Sequence, residues 1–249
     1  MAPKSKQRID LVLVHRGLAE NLSKAQAILM ARQVTVNGQP IGKPGFVIDV
    51  DADVDIVRTP QYVGRGGIKL ASAIAAFGID VCGVAALDIG ASTGGFTDCL
   101  LQHGATRIYA IDVGRGQLDE RLRQDPRVVV MERLNARYSF QLPEMISLAT
   151  VDVSFISLTK VLPVAAEHLV SQGHIIALVK PQFEAHRQEV GKGGVIHDHS
   201  THAKVLARLI AWVITHDFRV RGLIPSPLLG KAGNREFFLL LQTQGKTRI

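Results

Sequence analysis

The run Leu87-Asp88-Ile89-Gly90-Ala91-Ser92-Thr93-Gly94-Gly95-Phe96 constrains the fold more than any other stretch of the chain. It follows the apolar segment Val84 to Leu87, which reads as a buried strand. It opens into Thr97-Asp98-Cys99-Leu100-Leu101, which reads as the start of a helix. A strand passing through glycines into a helix N-terminus is how α/β folds hold a nucleotide-like cofactor.

Strand and helix patterns alternate around this run. Strands are expected near 84–89, 107–112, 127–131, 148–152, 174–180, 219–224 and 236–242. Helices are expected near 68–77, 97–103, 116–123, 158–171 and 200–215. The alternation predicts an α/β, Rossmann-like domain with a mostly parallel sheet covered by helices. Loop 181–199, long and polar, is a candidate lid or substrate loop.

The first 58 residues differ in kind. Ile9, Leu11, Leu13 and Val14 predict a short helix ending at Gly17, and Ser23 is placed to cap a second helix, Lys24 to Ala31. Val34-Thr35-Val36-Asn37-Gly38-Gln39-Pro40-Ile41 reads as strand, Asn-Gly turn, strand, and residues 46 to 57 alternate as a strand-rich tail. Met1 to Lys43 carries seven Lys/Arg against two acids, while Asp49, Asp51, Asp53 and Asp55 collect afterwards, so one face should be basic. The segment Thr59 to Gly67 reads as a linker from its Pro and Gly content. The expected domains are therefore 1–58, a linker at 59–65, and 66–249.

Bulk properties narrow the class. Among 249 residues, 47% are hydrophobic and 20% charged, as in a folded globular protein, and the net charge of +7 suits a polyanionic partner. Two cysteines, Cys82 and Cys99, rule out a disulfide framework and a cysteine-based zinc site. His197-Asp198-His199 with His202 sits at a helix start where Asp198 or Ser200 can cap, so no metal site is expected. The stretch Met1 to Lys6 has no apolar core to act as a secretory signal. Val205 to Ile214 is too short for a membrane span and is interrupted by Arg208. A cytoplasmic enzyme or RNA-associated protein is the expectation, and a monomer is compatible with it.

The glycine run admits three readings. Gly90-x-Ser92-x-x-Gly95 nearly spells the dinucleotide fingerprint, but Ser92 replaces the glycine that lets backbone approach a pyrophosphate. Gly90-Ala91-Ser92-Thr93-Gly94 also matches a hydrolase nucleophile elbow with Ser92 as nucleophile, although it follows the first strand of its sheet rather than a later one. The third reading is S-adenosylmethionine, which has no phosphate and needs only close backbone passage at Gly90, Ser92, Gly94 and Gly95. Asp112, at the end of the next strand, can accept both ribose hydroxyls; otherwise it is a helix cap. The third reading fits best.

Four ionisable residues stand near strand ends: Lys69 before the sheet, Asp152, Lys180, and Glu236. Together they fit methylation of a hydroxyl, which must lose its proton as the methyl group transfers. Lys180 would be the base, with Lys69 nearby and two carboxylates holding geometry. The turn Asp152-Val153-Ser154-Phe155 lacks the Asn/Asp-Pro-Pro-aromatic pattern of amino-group methyltransferases, and neither cysteine is placed for base-carbon methylation.

At this point the chain resembles two known groups. Lys69, Asp152, Lys180 and Glu236 match the Lys-Asp-Lys-Glu tetrad of the FtsJ-type ribose methyltransferases. Nearly the whole chain resembles the TlyA family of ribosomal-RNA cytidine 2′-O-methyltransferases, which also bear the name haemolysin. The matching runs, in order, are Gly64 to Leu70, Leu87 to Cys99, Asp112 to Leu118, Glu132 to Arg137, Asp152 to Leu158, Lys180 to Glu184, and Gly233 to Phe237. The resemblance implies S-adenosylmethionine as cofactor, Asn135 near its adenine, and ribosomal RNA as partner. Residues 1–58 resemble a small helix-plus-sheet RNA-binding domain of ribosomal-protein type, with RNA contacts at Arg8, Arg16, Lys24, Arg32 and Lys43, and Arg65 beyond it. Its usual Ser-Arg pair is Ser23-Lys24 here, and its usual glycine is Arg32 or Gln33. The expected architecture is thus a Rossmann-like methyltransferase domain with a small α+β N-terminal RNA-binding domain. With Ile249 as its last residue, the chain is expected to lean towards the shorter members of the family, those associated with large-subunit RNA. Two rivals stand beside this reading: a ribosome-binding protein with a degenerate core, and a pore former.

Overall fold

The computed structural model describes residues 5–56 and 60–244. The chain divides into two compact units, Met1–Pro60 and Gln61–Ile249.

In the first unit, β1 (Lys6–Arg8), α1 (Ile9–His15), α2 (Leu22–Met30), β2 (Val34–Val36), β3 (Gln39–Ile41), β4 (Val47–Asp49) and β5 (Val54–Ile56) follow in order. β1 pairs antiparallel with β4, and β2 lies between β3 and β5 in an antiparallel sheet of three. Asn37 and Gly38 both take positive φ, which the two-residue turn between β2 and β3 requires. Ile9, Val12 and Leu13 of α1 share a core with Ala25 and Leu29 of α2 and with Val34, Val36, Ile48 and Val54. The cap of α2 is Asn21, whose side chain accepts from the Lys24 amide, so Ser23 lies inside the helix it was expected to cap.

The second unit contains α3 (Arg65–Phe77), β6 (Ala85–Ile89), α4 (Gly95–Gln102), β7 (Arg107–Asp112), α5 (Glu120–Arg123), β8 (Val128–Glu132), β9 (Ile146–Val151), α6 (Leu162–Glu167), β10 (Leu169–Val179), α7 (Pro181–Glu184), α8 (His199–Thr215), β11 (Phe218–Pro225) and β12 (Phe237–Thr243). Its seven strands run in the order β11-β12-β10-β9-β6-β7-β8. The pairings among β10, β9, β6, β7 and β8 are parallel, while β12 is antiparallel to both its neighbours. The sheet is therefore mixed at one edge.

Strand alternation divides the core between two faces. Ile176, Leu178, Phe238 and Leu240 pack with Leu70, Ala73 and Ile74 of α3 and with Phe96 and Leu100 of α4. Their neighbours Ile175, Ala177, Leu239 and Leu241 pack on the other face with Leu162 and Ala165 of α6 and Leu209 and Val213 of α8.

Three further expectations need correction. Gly66 and Gly67, read as linker, lie in the first turn of α3. The helix expected over 158–171 is a 3₁₀ turn at Leu158–Lys160 followed by α6; from Leu169 the chain is already strand, with Gln172 at φ 63 before it rejoins β9 at His174. The helix expected over 116–123 shrinks to Glu120–Arg123, because Gly116 sits at φ 67 and Asp119 is the cap.

Candidate active site

β9 and β7 flank β6, the strand at which the chain order reverses, so a crevice opens beyond its carboxyl end. Gly90 stands there at φ 86, and a Cβ on it would lie 2.3 Å from the Asp152 carbonyl oxygen. The loop can pass this close to β9 only with glycine at that position. Ser92, the residue replacing the fingerprint glycine, has φ 50, so a serine holds the left-handed conformation that glycine adopts easily. Its amide donates to Asp112 Oδ2 at 2.8 Å, and the Gly114 amide donates to Asp112 Oδ1 at 2.6 Å. Asp112 is thus no helix cap; its carboxylate ties the glycine loop to the turn after β7. A cleft of about 130 Å³ is lined by Gly66, Gly90, Ala91, Ser92, Thr93, Gly95, Phe96 and Asp152.

Beneath the loop lies Asp88, fully buried inside β6. Thr97 of α4 donates to its Oδ2 at 2.6 Å and Thr150 of β9 donates to its Oδ1 at 2.9 Å. Burial pushes its carboxyl up to about 6, against the pull of these two hydroxyls. Sequence reasoning passed over Asp88, although a carboxylate inside an apolar strand was the available signal.

Lys69 of α3 and the three residues at strand ends, Asp152, Lys180 and Glu236, come together as two ion pairs. Lys69 Nζ meets Glu236 Oε2 at 2.6 Å, with side chains only 9% and 4% exposed. Lys69 is one helical turn beyond Gly66, which lines the cleft, and so shares that face of α3. Lys180 Nζ lies 2.6 Å from Asp152 Oδ1 and donates to Ser154 Oγ at 2.8 Å. Each lysine is matched to a carboxylate, a pairing the sequence did not specify.

Next to Lys180 is a feature the sequence did not signal. Phe155 is 91% exposed and has φ 63, a conformation costly for a side chain of this size. Its ring lies 4.9 Å from that of Phe183 in α7. Asn135, exposed beyond β8, caps its own turn by accepting from the Arg137 amide at 3.0 Å. Asp198 caps α8 through the Ser200 and Thr201 amides, and no metal-binding cluster occurs among the described residues.

The basic residues are placed unevenly. In the first unit, Arg8 forms a two-point contact with the buried Asp10, which holds that carboxyl below its usual range, and Arg16 donates to the Val50 carbonyl. Both are therefore engaged within the fold. Lys24 is exposed on α2. Arg32 and Lys43 line a shallow hollow of about 440 Å³ with Pro40 and Gly42. Arg32 has φ 55, so arginine occupies a left-handed position that suits glycine. Arg65 is exposed at the start of α3 in the second unit.

Comparison with known proteins agrees with this geometry. The FtsJ-like methyltransferase family matches residues 62–243, which include both ion pairs and the glycine loop. The chain belongs to this family. An S4 domain matches residues 7–54. YqxC of Bacillus subtilis (strain 168), provisionally named an rRNA methyltransferase, is 48% identical over 248 residues, covering 97% of this chain and 87% of YqxC. The 16S/23S rRNA (cytidine-2′-O)-methyltransferase TlyA of Mycobacterium tuberculosis (strain ATCC 25618 / H37Rv) is 42% identical over 243 residues, 95% of this chain and 90% of that one. A solved structure from Streptococcus thermophilus, provisionally named a hemolysin, superposes with a TM-score of 0.73 at 42% identity, covering 98% of this chain and 92% of that one.

Proposed function

We propose that the chain is an S-adenosylmethionine-dependent methyltransferase that modifies the 2′ hydroxyl of a cytidine in ribosomal RNA. The observation that carries this reading is the Lys180–Asp152 pair, set beside the glycine-lined cleft in a chain with an FtsJ-like methyltransferase domain. Ion-paired lysines fit hydroxyl chemistry better than the hydrolase reading of Ser92, whose amide is committed to Asp112 and whose hydroxyl contacts Gln117 at 3.4 Å.

The cleft fits the cofactor because backbone at Gly90, Ser92 and Gly95 lines it, and a side chain at Gly90 would collide with the Asp152 carbonyl; Gly94 instead faces Leu118 and Leu122 and keeps the turn of the loop. Asp112 would hold the ribose hydroxyls, and Asn135 would stand on the adenine side. When bound, S-adenosylmethionine supplies an electrophilic methyl group. As the neutral amine, Lys180 Nζ takes up the proton of the attacking 2′ hydroxyl, and the ammonium so formed is the state that pairs with Asp152. Ser154 Oγ fixes the direction of Nζ. Lys69 and Glu236 form a buried pair on the face of α3 that carries the cleft-lining Gly66. The exposed Phe155, with Phe183, offers a ring on which a splayed-out base can stack.

RNA capture is assigned to the S4 domain through Lys24, Arg32 and Lys43, with Arg65 on the catalytic domain; Arg8 and Arg16 contribute less because the fold already uses them. An enzyme with this substrate works in the cytoplasm. No helix among the described residues is long and apolar enough to cross a membrane, so a pore-forming reading finds no helical span. Transfer of tritium from labelled S-adenosylmethionine to ribosomal RNA tests the assignment. A protein that binds the RNA but transfers no label would instead be a binding module with a degenerate core.

A further inference from the structure

Two chain segments build the lysine-bearing end of the cleft. One is residues 152–158 after β9; the other is Lys180 with α7 after β10. Helix α7 has only four residues and cannot fix its own orientation. Packing against α8 and contacts with the first segment do so instead, and the latter come in matching order. Lys180 meets Asp152 and Ser154, Phe183 meets Phe155, and Glu184 meets Ser157 and Leu158. The last contact is a two-point one. Ser157 Oγ donates to Glu184 Oε2 at 2.6 Å and the Leu158 amide donates to Oε1 at 2.7 Å, so both carboxylate oxygens are used. Ser157 also accepts from the Thr159 amide, which ties the latch to the 3₁₀ turn at Leu158–Lys160.

We propose that Glu184 is a positioning residue that latches the segment after β9 to the segment after β10, setting the aim of Lys180 and Phe183. It reaches the reaction through these neighbours. The inference rests on the reading of Lys180 as the base. Burial pushes the Glu184 carboxyl up while its two donors pull it back, as expected for a group enclosed at a seam.

The test uses the full-length protein with Glu184→Ala, Glu184→Gln and, separately, Lys180→Ala. S-adenosylmethionine affinity, kcat and KM on ribosomal RNA, and hydrogen exchange across residues 155–160 are measured for each. Glu184→Ala is expected to lower kcat by about ten- to a hundredfold, since small misplacements of reacting groups have costs of this order. Cofactor affinity should stay within about twofold, and exchange across 155–160 should accelerate. Glu184→Gln should recover most of kcat and of the protection, because its carbonyl still accepts from the Leu158 amide and its NH₂ can donate to Ser157 Oγ. Unchanged exchange in Glu184→Ala overturns the latch whatever the activity. Parallel loss of cofactor binding and kcat overturns it in favour of general unfolding. Full activity in Lys180→Ala refutes the base and leaves the exchange result to judge the latch.

Discussion

The Lys69–Glu236 pair permits a quantitative test of how the active-site wall is held. Its charges are 2.6 Å apart and both side chains are nearly inaccessible. At an effective dielectric constant of about 20, two unit charges at that distance attract by ~6 kcal/mol, and desolvation of both groups offsets much of this. Removing one partner leaves the other charge buried and uncompensated. Lys69→Met and Glu236→Gln should therefore each cost about 3–5 kcal/mol. Together they should cost much less than the sum, because neither charge remains stranded. Urea unfolding followed by fluorescence reads this directly: Trp212, on α8, is the only tryptophan in the chain and reports the catalytic unit. Losses below about 1 kcal/mol for each single variant, or strict additivity in the double variant, would refute the argument. A double variant that folds but transfers no methyl group would show that the pair serves the reaction as well as the fold.

Three other outcomes follow from the site. Gly90→Ala places a Cβ against the Asp152 carbonyl at positive φ and should weaken S-adenosylmethionine binding at least tenfold by calorimetry. Asp88→Asn removes a carboxyl raised by burial to about 6. In the wild type, a raised value adds stability below the unfolded-state pKa that is lost as pH rises through about 6, so the variant should match the wild type near pH 4 and exceed it by up to ~3 kcal/mol at pH 8 in urea titrations. Phe155→Ala should raise KM for RNA by about five- to a hundredfold, as for loss of a stacked base, without lowering thermal stability or cofactor affinity; a destabilised variant with normal KM would assign the ring to packing.

The strand-loop-helix at Gly90 was legible because periodicity and glycine placement act locally, and β6, the loop and α4 fall where they were expected. The edge of the sheet was not. Nothing in Phe218 to Thr243 says that β12 inserts antiparallel between β10 and β11, since that choice depends on which edge is left open. Residues 158–171 carried helix-like spacing, yet the left-handed Gln172 and the pairing of Leu169 with Ile146 draw the last three residues into β10. Within the site, residue types at strand ends pointed to Lys69, Asp152, Lys180 and Glu236. Their partnering depended on the strand order: β9 beside β10 brings Asp152 to Lys180, and β12 beside β10 brings Glu236 next to the sheet. Phe155 was invisible as a feature, because exposure and positive φ are properties of the folded loop.

The central claim is that Lys180 removes a proton from a cytidine 2′ hydroxyl in ribosomal RNA. Mapping methyl groups by mass spectrometry on ribosomal RNA treated with S-adenosylmethionine and either wild-type protein or Lys180→Ala tests it most directly. The account predicts a 2′-O-methylcytidine with the wild type and none with the folded variant. A methyl group on a base atom, or the same ribose product formed at the wild-type rate by Lys180→Ala, would contradict it.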